Sequence, residues 1–301
     1  MKIYLNRRPK DGPWGGGIKT VNKLTQTLKE RGHQVVFKLE PEIDVIFCID
    51  PRPNDYGEWY QHFLQYRKIF KSKIIQRVGD LGTHSKPELT SLVEQTIPFS
   101  DFLIFPSEWA RDWIGYKGDN CEVVHNCPME IFHKYKKKDD SLKNKIKLVT
   151  HHWSMNPKKG FSFYEKLENF VSQENDFEFC YIGRKPENIN FSNHIPPLDA
   201  ISIAKELPEH HVYITASIEE AGANHVLEAM AAGLPIVYHK DGGSIANYCK
   251  DYGLEYSSFD EMIGSIKRMI IKYKFYKNKV LSYNKTNLQV VEPYIKIITG
   301  A

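Results

Sequence analysis

Of the 301 residues, 41% are hydrophobic and 26% charged, with a formal net charge of +4. That balance is ordinary for a soluble globular chain and excludes a low-complexity one. The charge is too mild, and the chain too poor in aromatic-basic RNA motifs, to predict a nucleic-acid partner; it suits a phosphorylated ligand or an anionic membrane surface equally well. No apolar stretch approaches bilayer length, and the first ten residues do not read as a signal peptide. The five cysteines are odd in number and lack metal-site spacing, which predicts reduced thiols and a cytoplasmic protein.

Apolar strand-like runs alternate with helical patterns along the chain, the mark of parallel sheets covered by helices. The first series of strands falls at 2–5, 34–37, 44–49, 73–78, 101–105 and 122–125. Between the first two, Ile18, Val21, Leu24 and Leu28 recur at helical spacing before Gly32. The charged, patternless segment 132–147 reads as a linker, with Asp139 and Asp140 solvated inside it. A second series follows at 148–151, 178–182, 211–215, 235–238 and 253–256. Helical stretches are expected at 259–280 and 283–298. Two Rossmann-like α/β domains result, 1–131 and 148–282, with ligands outside the carboxyl ends of the strands.

Residues 216–243 are the most informative segment. A strand enters a glycine turn, then a short helix, then a second strand, with Glu220 and Glu228 bracketing the turn. The helix is expected to open at Asn224 as its cap, leaving backbone N–H groups and the helix dipole to favour a phosphate. Gly222 allows the backbone to approach that phosphate closely. Side chains lean towards a helix's start, so Glu228 in the second turn can meet the sugar end of a bound nucleotide. Ala229, Ala231, Ala232 and Gly233 form a small face that sits close to the sheet.

Glu-x7-Glu followed by Ala-Met-Ala-Ala-Gly-Leu-Pro-Ile-Val resembles the donor-site signature of the retaining GT-B-fold glycosyltransferases, in particular family four of the nucleotide-sugar glycosyltransferases (glycosyl transferases group 1). The resemblance implies two Rossmann-like domains with parallel sheets facing across a cleft. The first would be an acceptor domain, onto which the helix within 283–301 packs back; the second would be the nucleotide-sugar donor domain. It implies that Glu220 faces the donor sugar and phosphate, and that Glu228 binds the ribose hydroxyls. Gly222, Ala223 and Asn224 would form the donor turn. Gly15, Gly16 and Gly17, after the first strand, would line the cleft beside the donor diphosphate.

Where similar enzymes carry Gly-Arg and then Lys-Gly, this chain has His151, His152, Trp153 and Ser154, and then Lys159 and Gly160. Lys159 would neutralise the departing diphosphate. Hydroxyl and imidazole donors such as Ser154, or Arg184 after the next strand, would take the place of the absent arginine. Gly242 and Gly243 match a Gly-Gly pair that contacts or supports the donor, and Asn247 replaces the usual glutamate. Arg77, Asp80 and His84 are expected to face the cleft, where the aspartate or the histidine could hold an acceptor or donor-sugar hydroxyl. His125 and Asn126 read as structural.

The implied activity is transfer of a hexosyl group from a nucleotide diphosphate sugar to an acceptor hydroxyl, with retention. No metal site is read, and no cofactor beyond the donor substrate is implied. The acceptor is left open among saccharide, lipid-linked and protein. Two other readings stay open. One is a sugar-nucleotide epimerase or hydrolase using Asp80, His84 and Glu220 as acids and bases. The other is a non-catalytic nucleotide-sugar-binding protein, which the missing arginine and Asn247 would suit. Residues 262–281 interleave apolar residues with lysines; they are expected to bury the apolar side on the second domain and leave the lysines solvated, giving at most weak peripheral membrane contact.

Overall fold

The computed structural model describes residues 1–10, 16–138, 141–142 and 145–300. Gly15, Asp139 and Asp140, all assigned from sequence, lie outside the described residues. The chain divides into two compact units, Met1–Asn126 with Asn287–Ala301, and Cys127–Thr286.

In the first unit the chain order is β1 (Lys2–Leu5), α1 (Gly16–Glu30), β2 (Gln34–Val36), β3 (Val45–Cys48), α2 (Tyr60–Phe70), β4 (Lys73–Arg77), α3 (Pro87–Thr96), β5 (Phe102–Phe105), α4 (Glu108–Trp113) and β6 (Cys121–Val123). The strands make one parallel sheet ordered β2-β1-β3-β4-β5-β6. All four residues of β3 are buried, because helices cover both faces and leave no side for a polar alternation. Val21, Leu24 and Leu28 bury one face of α1.

The second unit continues with α5 (Ile131–Lys134), β7 (Ile146–His152), α6 (Phe161–Gln173), β8 (Phe177–Gly183), β9 (His194–Ile195), α7 (Ala200–Glu206), β10 (Val212–Thr215), α8 (Asn224–Ala231), β11 (Ile236–His239), α9 (Ser244–Cys249), β12 (Gly253–Tyr256), α10 (Phe259–Ile271) and α11 (Tyr273–Ser282). Its strands form a second parallel sheet, β12-β11-β10-β7-β8-β9. Successive strand residues feed opposite cores. Val149, Tyr213 and Ile236 join Val226 and Met230 of α8 on one face. Leu148, Ile214 and Val237 join Tyr164 of α6 and Ile266 of α10 on the other.

The last helix, α12 (Asn287–Thr299), belongs to the first unit and packs against α1. It buries Val290, Val291, Tyr294, Ile295 and Ile298.

Several sequence expectations are corrected. Segment 132–147 is not patternless: it holds most of α5 and the start of β7. The stretch 259–280 is two helices, broken at Lys272. Lys277 is not solvated; it is 3% exposed, and its ammonium donates to the Gly233 carbonyl at 2.7 Å, satisfying a peptide oxygen just past the end of α8. Strand β9, only two residues long, carries too little periodicity to be read from sequence. Among the described residues no helix is long and apolar enough to cross a membrane.

Candidate functional site

The carboxyl ends of β7, β10 and β11 lie side by side in the second sheet, and the loops leaving them build the site. Gly160 closes a 3-10 turn, Pro157–Lys159, in the left-handed region at φ 82°. A Cβ there would stand 2.3 Å from the Ala216 carbonyl oxygen, so only glycine lets this turn press on the end of β10. That contact places Lys159 against the loop after β10. Its ammonium meets the Glu220 carboxylate at 2.5 Å. The neighbouring Lys158 pairs with Glu219 at the same distance, and the Lys158 carbonyl accepts from the Ile218 N–H.

Glu220 is also fixed from the other side. Its N–H donates to the Gly242 carbonyl, and its carbonyl accepts from the Ser244 N–H at 2.8 Å. The Ser244 hydroxyl, fully buried, accepts from the Ala223 N–H at 2.9 Å. Gly242 and Gly243 are thereby brought against the Glu220 backbone, while Ser244 ties that backbone to the start of α8. Asn224 is not the cap. It is the first helical residue, and the cap position falls on Ala223, which has no side-chain oxygen to offer. Ser244 takes the N–H of the cap residue, and among the described residues the Ala223 side chain caps nothing, so the first-turn N–H groups beyond it carry their partial positive charge.

Glu228, one turn further, is 5% exposed and bonded through Oε2 to His151 Nε2 at 3.0 Å. The Tyr213 hydroxyl lies 3.0 Å from His151 Nδ1. A neutral imidazole satisfies both contacts when Nε2–H donates to the carboxylate and Nδ1 accepts from tyrosine. His152, next along β7, meets the Tyr164 hydroxyl at 2.7 Å, which also accepts from the Ala216 N–H. Burial pushes the Tyr164 phenol up to about 12, so it stays protonated and can donate to His152.

His225 completes this layer, 5.0 Å ring to ring from His152 and 3.0 Å from the Thr215 hydroxyl. Burial pushes its pKa down to about 3, and the Lys159 ammonium adds to the shift against the opposing pull of Glu220 and Glu228. It is neutral at physiological pH.

The remaining assigned residues are placed as follows. Ser154 turns inward on its own loop, its hydroxyl accepting from the Asn156 N–H at 3.1 Å. Arg184 is exposed, with its guanidinium 4.1 Å over the Trp153 ring. Gly222 is half-buried and its carbonyl accepts from the Asn224 amide at 3.4 Å. Gly16 and Gly17 are not in a loop but open α1. In the first unit Asp80 pairs with Lys86 at 2.7 Å, and His84 is half-buried in the same loop. Arg77 is not a cleft residue: it is 5% exposed and donates to the Tyr294 hydroxyl at 3.0 Å and to Asn126 at 3.1 Å, fastening α12 to β4. Among the described residues no group of three or more His, Cys, Asp or Glu side chains is placed to hold a metal ion.

Sequence reasoning missed Ser244, His225, Tyr213 and Tyr164. His225 stands between the two glutamates, but its partners Thr215 and His152 come from strands, and the other three lie outside 216–243, Ser244 by one residue.

Residues 146–269 match the family model described as glycosyl transferases group 1. No curated protein sequence matches the chain. Among solved structures the fold is similar to sucrose-phosphate synthase from Thermosynechococcus elongatus, at a TM-score of 0.69 and 14% identity, with 100% of each chain covered. It is similar to Anabaena HepE solved with UDP and glucose, at 0.72 and 13%, again with 100% of each chain covered. A third is WaaG, a glycosyltransferase involved in lipopolysaccharide biosynthesis, at 0.68 and 12% over 100% of each chain. The two parallel six-stranded sheets with flanking helices are a GT-B fold, and within the second sheet's unit residues 146–269 resemble the glycosyl transferases group 1.

Proposed function

We propose that this protein transfers a sugar from a nucleoside diphosphate sugar to an acceptor hydroxyl, with retention at the anomeric carbon and without a metal ion. The observation that carries this reading is the Lys159–Glu220 pair, tied through Ser244 to the start of α8, with Glu228 one turn further on. A cation and the helix N–H groups together suit a diphosphate, while a buried carboxylate suits paired ribose hydroxyls. Breaking the glycosidic bond builds negative charge on the leaving diphosphate, and Lys159 with the α8 N-terminus supplies stabilisation where that charge grows. Arg184 on Trp153 is an additional cation for the same phosphates. The HepE structures hold UDP-glucose, UDP and glucose, which makes uridine donors the first to try.

Labelled UDP-glucose, with GDP- and ADP-glucose beside it, tests the reading when products are separated after incubation with mono- and oligosaccharide acceptors. Label moving into acceptor with an α-linkage by NMR supports it. Free glucose, an isomerised donor or unchanged donor throughout would replace it with a hydrolase, an epimerase or a binding protein, respectively.

A further inference from the structure

The first unit carries a pocket lined by none of the residues assigned above to donor or acceptor binding. It has a volume of about 340 Å³ and opens where β1, β2 and β3 end, among Arg7, Arg8, Phe37, Asp50, Arg52 and Tyr56. Its walls are fixed by buried polar contacts. Asn6 is 1% exposed; its amide donates to the Asp50 carbonyl and its Oδ1 accepts from the Ile49 N–H at 2.7 Å. Glu58 is 8% exposed and accepts from the Tyr4 hydroxyl, the Asn54 amide and the Leu39 N–H. Asn54 in turn accepts from the N–H groups of Tyr56 and Glu58, each at 2.9 Å. The loop after β3 is therefore bolted to the ends of β1 and β2 without any ligand, and a ligand need not order it.

The charge inside is unbalanced. The lining holds four cations, including Lys10, against two carboxylates, Asp50 and Asp55. Asp50 is engaged by both Arg7 and Arg52, at 3.3 and 2.6 Å. Arg8 makes no ion pair among the described residues. Its guanidinium lies 4.9 Å over the Tyr56 ring and 5.9 Å from that of Phe37, and donates to the Tyr56 hydroxyl. Lys38 lies 5.6 Å from the centre of the same Tyr56 ring. The Arg8 guanidinium and the Lys38 ammonium, drawn to one ring, repel each other, and an anion beside them relieves that repulsion. Solvated surface arginines would be the ordinary reading of such residues. Here they are held on aromatic faces and fixed loops around a concavity.

We propose that this pocket binds a small phosphate ester of about the size of a monosaccharide phosphate. The volume lies at the low end of small-ligand sites, enough for one sugar ring and its phosphate. Guanidinium forks suit a phosphate dianion, and the Phe37 and Tyr56 rings offer apolar surface to a sugar. That the ligand is the acceptor rests on the transferase reading; the binding itself does not.

Isothermal titration of the full chain with glucose 6-phosphate, in saturating UDP to occupy the donor site, tests the proposal. One-to-one binding is expected, with inorganic phosphate weaker and glucose silent. Arg8 is exposed, so Arg8→Ala should keep the fold by circular dichroism. It should lose about tenfold or more in affinity, the loss expected for one charge-assisted contact. Glu228→Ala, titrated without UDP, should bind glucose 6-phosphate like the wild type. Equal affinity in Arg8→Ala, no binding of any phosphate, glucuronate binding as tightly as glucose 6-phosphate, or loss in Glu228→Ala would each overturn it. None of these readouts needs turnover, so failure of the pocket and failure of sugar transfer are separately visible.

Discussion

Lys159 and Glu220 are 61 residues apart in sequence and form an ion pair in which each side chain is only 13% exposed. Partial burial matters here. A pair screened by bulk water contributes little, whereas a pair in a half-closed loop keeps its field for whatever enters. The Glu220 backbone that holds this pair is tied through Ser244 to the start of α8.

Lys159→Ala should therefore lower the rate of transfer by about 10²–10³-fold, the usual loss when one group stabilising a leaving charge is removed. Steady-state rates beside a thermal melt check it. A variant as active as the wild type would move the phosphate role to Arg184.

Glu228→Ala should weaken nucleoside diphosphate binding by about 1.5–3 kcal/mol for each charge-assisted bond lost to the ribose. His151→Ala is expected to weaken binding less, because it removes only the group that holds the carboxylate in place. It should also destabilise the fold by about 1–3 kcal/mol, since a buried acceptor loses its donor. Titration calorimetry with UDP, GDP and ADP, paired with denaturant melts, separates the two effects. Affinity unchanged in Glu228→Ala would take Glu228 out of the site.

His225 predicts a pH dependence of stability. Its pKa falls from an ordinary 6.5 when unfolded to about 3 when folded, so between these values the unfolded chain binds the extra proton. Stability is then fully present above about pH 6.5 and drains away as pH falls towards 3. At pH 5 the loss from this group is about 2 kcal/mol. His210, held down to about 4 by burial, acts in the same direction. Melting His225→Gln and wild type at pH 7 and pH 5 checks this: the variant should lose less stability between the two. Equal losses would mean that His225 is protonated in the folded protein.

Activity should survive excess EDTA, because the charge of the leaving diphosphate is assigned to Lys159 and the α8 N-terminus. An assay with and without chelator decides it. Loss of transfer that Mg²⁺ or Mn²⁺ restores would show that a metal ion shares that charge.

The sequence by itself determined the α/β class, the doubled strand series and the Glu220–Glu228 segment. Each rests on near-neighbour chemistry: apolar runs with periods of two or 3.6 residues, and a turn whose glycine and helix start are contiguous. Val21, Leu24 and Leu28 announced the buried face of α1 for the same reason. Local pattern also misled where a tertiary partner overrode it. Lys277 looked solvated in a lysine-rich helix, yet an unsatisfied carbonyl at Gly233 draws its ammonium inside. Arg77 looked like a cleft residue, yet Tyr294, more than 200 positions away, accepts its bond.

Only the tertiary structure decided which residues hold the glutamates. His151 stands at the end of β7 and Glu228 on α8, and no spacing links them. They meet because β7 and β10 are neighbours in the sheet and α8 follows β10. The same holds for Ser244, which reaches Ala223 across the loop after β11. Hydrogen bonds between distant strands leave no period in the sequence, because their geometry is set by sheet order rather than by the chain.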